Sequence, residues 1–294
     1  MTLFEVKFEI PVQLADSVND ALIELGDEGW SMLEDVIVNR AWVVGIFRSK
    51  AEAEERPETL FPLLGLPRPV DLTVRELADS EWRDSYKAHF HAWQFGRLHW
   101  VPIWEKPTFR LTPGDEVLWL DPGLAFGTGN HETTRLCVER LVRLAETSGT
   151  SGRVIDAGCG SGILALSAAK LGFRDILGFD NDPEAVRVSL ENAALNDLGD
   201  AVQFSVGDLM SGLRGQTAEI VMANILAHIL IEFRRELTSS ISAGGTLILS
   251  GILAAESYDV QRAFTEVSPG WTVQSRAMGE WCDVVVSRPQ TNRF

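Results

Sequence analysis

Apolar and charged side chains alternate along residues 3–10, Leu-Phe-Glu-Val-Lys-Phe-Glu-Ile. That period of two predicts a strand with one buried face. Val18, Leu22 and Leu25 then recur at helical spacing over 15–25, and Gly26 supplies a stop. Two further strands are predicted near 31–38 and 41–48. A helix follows over 51–64, interrupted by Pro57 and Pro62, and a last alternating run covers 70–76. Strand, helix, strand, strand, helix, strand is the order of the split βαβ, ferredoxin-like arrangement. Residues 1–76 are therefore expected to form a small α+β domain. It holds no glycine-rich loop and no acid/base cluster, so its expected task is binding or positioning.

Residues 77–105 read as a connector dense in aromatics, with Trp82, Tyr86, Phe90, Trp93, Phe95, Trp100 and Trp104. His89, His91 and His99 lie among them. No carboxylate or cysteine completes a ligand set there, so no metal is expected and the rings should pack the domain junction. In the last segment, 106–294, strands and helices alternate from 150 onward. Strands are predicted near 153–157, 175–180, 201–206, 218–223 and 244–250, and helices near 162–171, 183–196 and 226–239. Such alternation implies a parallel sheet covered on both faces. Residues 271–277 and 281–287, joined by Met278-Gly279-Glu280, read as a closing antiparallel hairpin.

Composition narrows the class. Among 294 residues, 45% are hydrophobic, enough for a sizeable core. Lys plus Arg is 26 against 42 Asp plus Glu, a formal charge of −16. Such a surface repels phosphates, so no direct nucleic-acid binding is expected, and a macromolecular partner would be basic. Cys137, Cys159 and Cys282 are far apart, which disfavours a disulfide framework and suits a cytoplasmic protein. No apolar run is long enough for a membrane span.

The strongest chemical signal is Val154-Ile155-Asp156-Ala157-Gly158-Cys159-Gly160-Ser161-Gly162, a buried strand running into glycines and then a helix. Glycines let a ligand approach bare main chain, and the helix start supplies free N–H groups. A pyrophosphate-binding turn would place its third glycine where Ile163 stands. At the tip of the next strand, Asp180 can accept from both hydroxyls of a ribose, since Asp182 and Pro183 are better suited to start the following helix. Asp208, after the third strand, is either an adenine contact or a loop acid. Asn224, after the fourth, offers an amide that can orient an amine or cap a helix. Leu120 to Thr134 forms a shaped, glycine-rich loop, and Thr133 or Thr134 can cap the helix beyond it.

On these residues the chain resembles the bacterial methyltransferases that modify ribosomal protein L11 (PrmA). The resemblance covers nearly the whole chain. It is carried by Glu81-Trp82-Arg83-Asp84, Phe90-His91, Phe95-Gly96, the loop Asp121 to Thr134, the turn Asp156 to Gly162, Asp180, Asn224-Ile225-Leu226-Ala227, Ser250-Gly251-Ile252-Leu253 and Glu280-Trp281-Cys282. Asn130 and Glu132 depart from it, where Thr and Pro are expected. It implies a Rossmann-like, seven-stranded class I methyltransferase domain behind the ferredoxin-like domain, with S-adenosylmethionine as cofactor. It further implies that Thr134, Gly158, Asp180 and Asn224 contact that cofactor. Gly160, Asp208 and Phe126 complete the expected set, with Asn224 as the catalytic residue. The first domain would hold the protein substrate, and methyl groups would pass to the α-amine and lysine ε-amines of the ribosomal protein. A monomer is expected. No general base stands out. His131 is a weak candidate, so solvent is expected to take the proton.

Overall fold

The computed structural model describes residues 3–25, 29–35, 40–69, 71–77, 92–121 and 131–290. The chain separates into two compact units, residues 1–90 and 91–294.

In the first unit, β1 (Leu3–Ile10), α1 (Ala15–Leu25), β2 (Trp30–Asp35), β3 (Arg40–Phe47), α2 (Lys50–Leu63) and β4 (Thr73–Leu77) follow the expected order. The sheet runs β2-β3-β1-β4 with every pair antiparallel, which is the ferredoxin-like topology. The alternation read in β1 sends Val6, Phe8 and Ile10 into a core shared with Val43, Phe47, Leu60 and Phe61. Ser49 caps α2 by accepting the Glu52 N–H at 3.2 Å. The helix runs through both Pro57 and Pro62. An interior proline costs about 3 kcal/mol. Burial of Ala53, Pro57, Leu60 and Phe61 offsets that cost.

The second unit opens with β5 (Trp93–Phe95), β6 (Leu98–Pro102) and β7 (Glu116–Leu120), a small sheet absent from the sequence reading. Of the expected connector, residues 78–91 lie outside the described residues, His89 and His91 among them. Residues 93–105 belong to the second unit's own packing. Trp100 is fully buried, stacks edge-on with Phe95 and donates its indole N–H to Ser167 Oγ at 2.9 Å. His99 is bonded to Asp115 at 2.8 Å.

Next come α3 (Glu132–Ser148), β8 (Val154–Ala157), α4 (Ile163–Leu171), β9 (Ile176–Asp180), α5 (Pro183–Leu195), β10 (Gln203–Val206), α6 (Leu209–Gly212) and β11 (Ala218–Asn224). The chain ends with α7 (Ala227–Glu232), α8 (Arg234–Ser239), β12 (Ile241–Leu253), α9 (Ser257–Val267), β13 (Thr272–Met278) and β14 (Trp281–Ser287). The helix expected over 226–239 is therefore two, broken at Phe233, whose ring packs on the core. The seven-stranded sheet has the order β10-β9-β8-β11-β12-β14-β13. Its first five strands are parallel, and β14 runs antiparallel between β12 and β13. Successive residues feed opposite faces: Val154, Met222 and Ile248 join one core, while Ile155, Val221 and Leu247 join the other. Strand order reverses beside β8, so the crevice beyond the carboxyl ends of β8 and β11 is where such sheets bind ligands. Among the described residues no helix is long and apolar enough to cross a membrane.

One buried ion pair ties α3 to the closing hairpin. Asp283, fully buried, accepts from Arg140 Nε at 2.7 Å and Nη2 at 3.0 Å, and from the Arg276 N–H at 2.9 Å. Removing one partner of a buried pair strands the other's charge. Arg140→Ala should lower unfolding stability by roughly 3 kcal/mol in urea titrations. A loss below about 1 kcal/mol would show that Arg276 alone satisfies the carboxylate.

Candidate active site

The glycine turn behaves as its spacing requires. Gly158, Gly160 and Gly162 have φ of 75°, 52° and 78°, a region side chains resist. A Cβ added to Gly158 would lie 2.6 Å from Ile225 Cγ2. The N–H groups of Gly158 and Cys159 donate to Phe179 O at 2.9 and 3.0 Å, which pins the turn to the end of β9.

Asp180 completes that pin. Its Oδ2 accepts the Gly160 N–H at 2.9 Å and its Oδ1 accepts the Asp182 N–H at 3.1 Å. Asp182 caps α5 by accepting from Glu184 N–H at 2.8 Å, as the sequence suggests. Each Asp180 oxygen keeps a further lone pair for a hydroxyl donor.

Asp156, on which the sequence reading placed no role, is 1% exposed. Its Oδ2 accepts the Ala165 N–H at 3.0 Å, and its Oδ1 has no partner. Burial pushes its pKa up to about 7 from an ordinary 3.8, against the Ala165 bond and with help from the Asp180 charge.

A cavity of about 430 Å³ opens beside the turn, lined among others by Gly158, Asn181, Gly207, Asp208, Ile225 and Leu226. That is the size class of small-molecule sites. Asp208 reaches it while also capping α6: its Oδ1 accepts the Ser211 N–H at 2.7 Å. That bond holds the carboxyl below its usual pKa. Asp208 thus stands in the cavity wall and caps a helix at once.

On the other side of Ile225, Asn224 ends β11 and donates its Nδ2 to Thr134 Oγ1 at 3.4 Å. It caps no helix, because α7 starts only at Ala227 and Leu226 precedes it without a side-chain cap. With Nδ2 committed to Thr134, the amide oxygen is left as the free acceptor. Thr134 is 2% exposed in the first turn of α3. The cap of α3 is neither threonine but His131, whose extended backbone starts the helix earlier. Its Nδ1 accepts the Thr133 N–H at 3.3 Å, and its ring meets Trp281 edge-on at 4.8 Å. Burial lowers the imidazole's pKa. Ser250, quoted above only for its resemblance, donates its hydroxyl to Thr133 O at 3.0 Å. A lone hydroxyl and a glycine in the middle of the apolar run Leu247-Ile-Leu-Ser-Gly-Ile-Leu253 were the available signal. Phe126, with the loop 122–130, lies outside the described residues.

Bare main chain at a parallel-strand crossover, an acid at the second strand tip and an amide at the fourth define a Rossmann-like, class I methyltransferase, dependent on S-adenosylmethionine. The chain matches the family described as ribosomal protein L11 methyltransferase (PrmA) over residues 3–289, and it belongs to that family. A ribosomal protein L11 methyltransferase of Geobacter metallireducens is 38% identical over 302 residues, covering 95% of this chain and 96% of that protein. Its namesake in Pelobacter propionicus is 37% identical over 307 residues, covering 97% of each. Among solved structures, ribosomal protein L11 methylase from Lactobacillus delbrueckii subsp. bulgaricus is 32% identical with a TM-score of 0.61, covering 68% of this chain and 100% of that one.

Two outcomes follow from this geometry. Gly158→Ala should weaken binding of S-adenosylhomocysteine by roughly tenfold or more, read by calorimetry, since the added methyl meets both strain and Ile225. An unchanged affinity would free Gly158 from the site. For Asp156, the folded pKa of about 7 exceeds the ordinary 3.8, so the folded form keeps a proton that the unfolded chain releases. Its contribution to stability is full below 3.8 and is lost as pH rises through about 7. Asp156→Asn should therefore raise the melting temperature of the ligand-free protein at about pH 8.5 relative to wild type, and much less at about pH 5. Equal shifts at both pH values would contradict the buried-charge account.

Proposed function

We propose that residues 106–294 hold S-adenosylmethionine on Gly158, Gly160, Asp180, Asp208 and Thr134, with Phe126 also in the cofactor-binding set. Asn224 orients the α-amine or a lysine ε-amine of ribosomal protein L11. The observation that carries this reading is the Asn224–Thr134 bond, which leaves the amide oxygen as acceptor on the residue next to Ile225 of the cavity wall.

The residues present suit such a donor. Asp156 offers a buried carboxylate oxygen without a partner, and burial has pushed its pKa up. A nearby positive charge relieves both, and this methyl donor carries a sulfonium and an ammonium. Asp180 keeps lone pairs for a ribose, and glycines leave the turn open to close approach. When bound, the group supplies an electrophilic methyl carbon. The protein supplies orientation and electrostatics.

The acceptor amine must be neutral. A lysine has an ordinary pKa of about 10.4 and an α-amine of about 7.7–8.0. Burial beside a positive charge depresses either. Asn224 Oδ1 accepts one amine N–H and so aims the lone pair at the methyl carbon. His131 is a poor base, since its Nδ1 is spent on the Thr133 N–H. The proton leaves to solvent.

Residues 1–76 hold the ribosomal protein, and the formal charge of −16 speeds capture of a basic partner. The same charge disfavours RNA, and we assign the work to a cytoplasmic monomer. Asn224→Ala should cut methyl transfer to the ribosomal protein about a hundredfold by mass spectrometry, with kcat falling more than donor affinity. Transfer within about twofold of wild type would remove Asn224 from this role.

A further inference from the structure

Asn224 and Ser250 are register partners on the adjacent parallel strands β11 and β12. Each donates to one of two consecutive residues in the first turn of α3. Asn224 Nδ2 reaches Thr134 Oγ1 at 3.4 Å, and Ser250 Oγ reaches Thr133 O at 3.0 Å. Ser250 is fully buried, and Thr133 and Thr134 are 5% and 2% exposed, so water does not compete for the Ser250–Thr133 bond.

Ser250 stands where β12 departs from a regular ladder. Leu249 pairs with Val284 and Ile252 with Cys282, so three steps along β12 match two along β14. That is a bulge of one residue, a device that re-aims side chains beside sites. Gly251 takes φ of 79° within it, and a Cβ there would lie 2.4 Å from Ile225 O. The bulge thus presents a hydroxyl to α3 and a bare backbone to the residue following Asn224.

We infer that Ser250 is a positioning residue for methyl transfer: it locks the first turn of α3, so that Thr134 Oγ1 holds Asn224 with its amide oxygen toward the acceptor amine. The inference rests on the role proposed for Asn224. An Asn amide has an acceptor on one side and two donors on the other. If Thr134 drifts, the amide loses the 3.4 Å contact that places it. Turned over, it would present N–H groups to the N–H groups of the amine. Ser250 itself touches neither amine nor donor; it acts through Thr133 and Thr134.

The test is Ser250→Ala in steady-state transfer to ribosomal protein L11, with S-adenosylhomocysteine affinity by calorimetry and a thermal melt. The kcat should fall roughly tenfold, the worth of one buried hydrogen bond, and by more than product affinity, which Thr134 also serves. On a Thr134→Val background, where the amide has no hydroxyl to hold it, removing the Ser250 hydroxyl should cost less than about twofold further. A kcat for Ser250→Ala within twofold of wild type overturns the inference. So does a tenfold loss that persists undiminished on Thr134→Val, since that is a general packing effect. Should the alanine variant fail to fold, Ser250→Cys keeps the size and a weak donor. Its kcat should then fall below wild type without loss of melting temperature, and an unchanged kcat again overturns the inference. Wild-type protein that transfers no methyl group to L11 would instead strike the reading of Asn224 on which this one is built.

Discussion

The carboxylate of Asp180 binds two backbone N–H groups that belong to different loops, Gly160 in the glycine turn and Asp182 at the start of α5. Three of the five residues of the turn have no side chain with which to hold a shape. Three of its residues sit at positive φ, a conformation available to glycine and therefore easily lost by it. Its order comes from outside, through Asp180 and through the Phe179 carbonyl that accepts from Gly158 and Cys159. The same pins put the ends of β8 and β9 at the rim of one cavity. Without them the sheet could form and the crevice would have no floor.

Charge is placed sparingly in the interior of this acidic chain, and the buried acids of the second unit serve different ends. Asp283 is satisfied by Arg140 and by backbone, which is how a charge survives inside a protein. Asp156 is left half-satisfied, with one oxygen on Ala165 and the other orphaned. A carboxyl left in this state next to the glycine turn is one that either a proton or an incoming positive charge would complete. The first acid stabilises the scaffold, and the second stands half-satisfied in β8 next to the glycine turn.

The strand ends divide the remaining work. β8 and β9 supply the turn and the acid, and the cavity opens beside them. β11 and β12 supply Asn224 and Ser250, which both reach α3. The helix in turn is fastened to the hairpin by Arg140 and Asp283. The ends of β11 and β12 are therefore tied to α3 by side-chain hydrogen bonds at contacts far apart in sequence.

Short-range pattern determined much of this protein. Alternation in β1, the glycine turn, the Asp182–Pro183 helix start and the succession of strands and helices are local properties, fixed by backbone sterics and hydrophobic period. The acid at Asp180 and the amide at Asn224 were legible because sheet topology forces them to strand tips. The sheet formed by β5, β6 and β7 was not, since aromatic residues in short strands carry no clear period and only packing on α4 shows what Trp100 is for. The helix through Pro57 and Pro62 ran against propensity, because burial outweighed it. His131 displaced two better capping residues. Tertiary structure alone decided that Ser250 would meet Thr133, that Asp156 would be orphaned and that Asn224 would grip Thr134 instead of a helix end. Those are hydrogen bonds between groups distant along the chain, and no local pattern encodes which buried donor will find which acceptor.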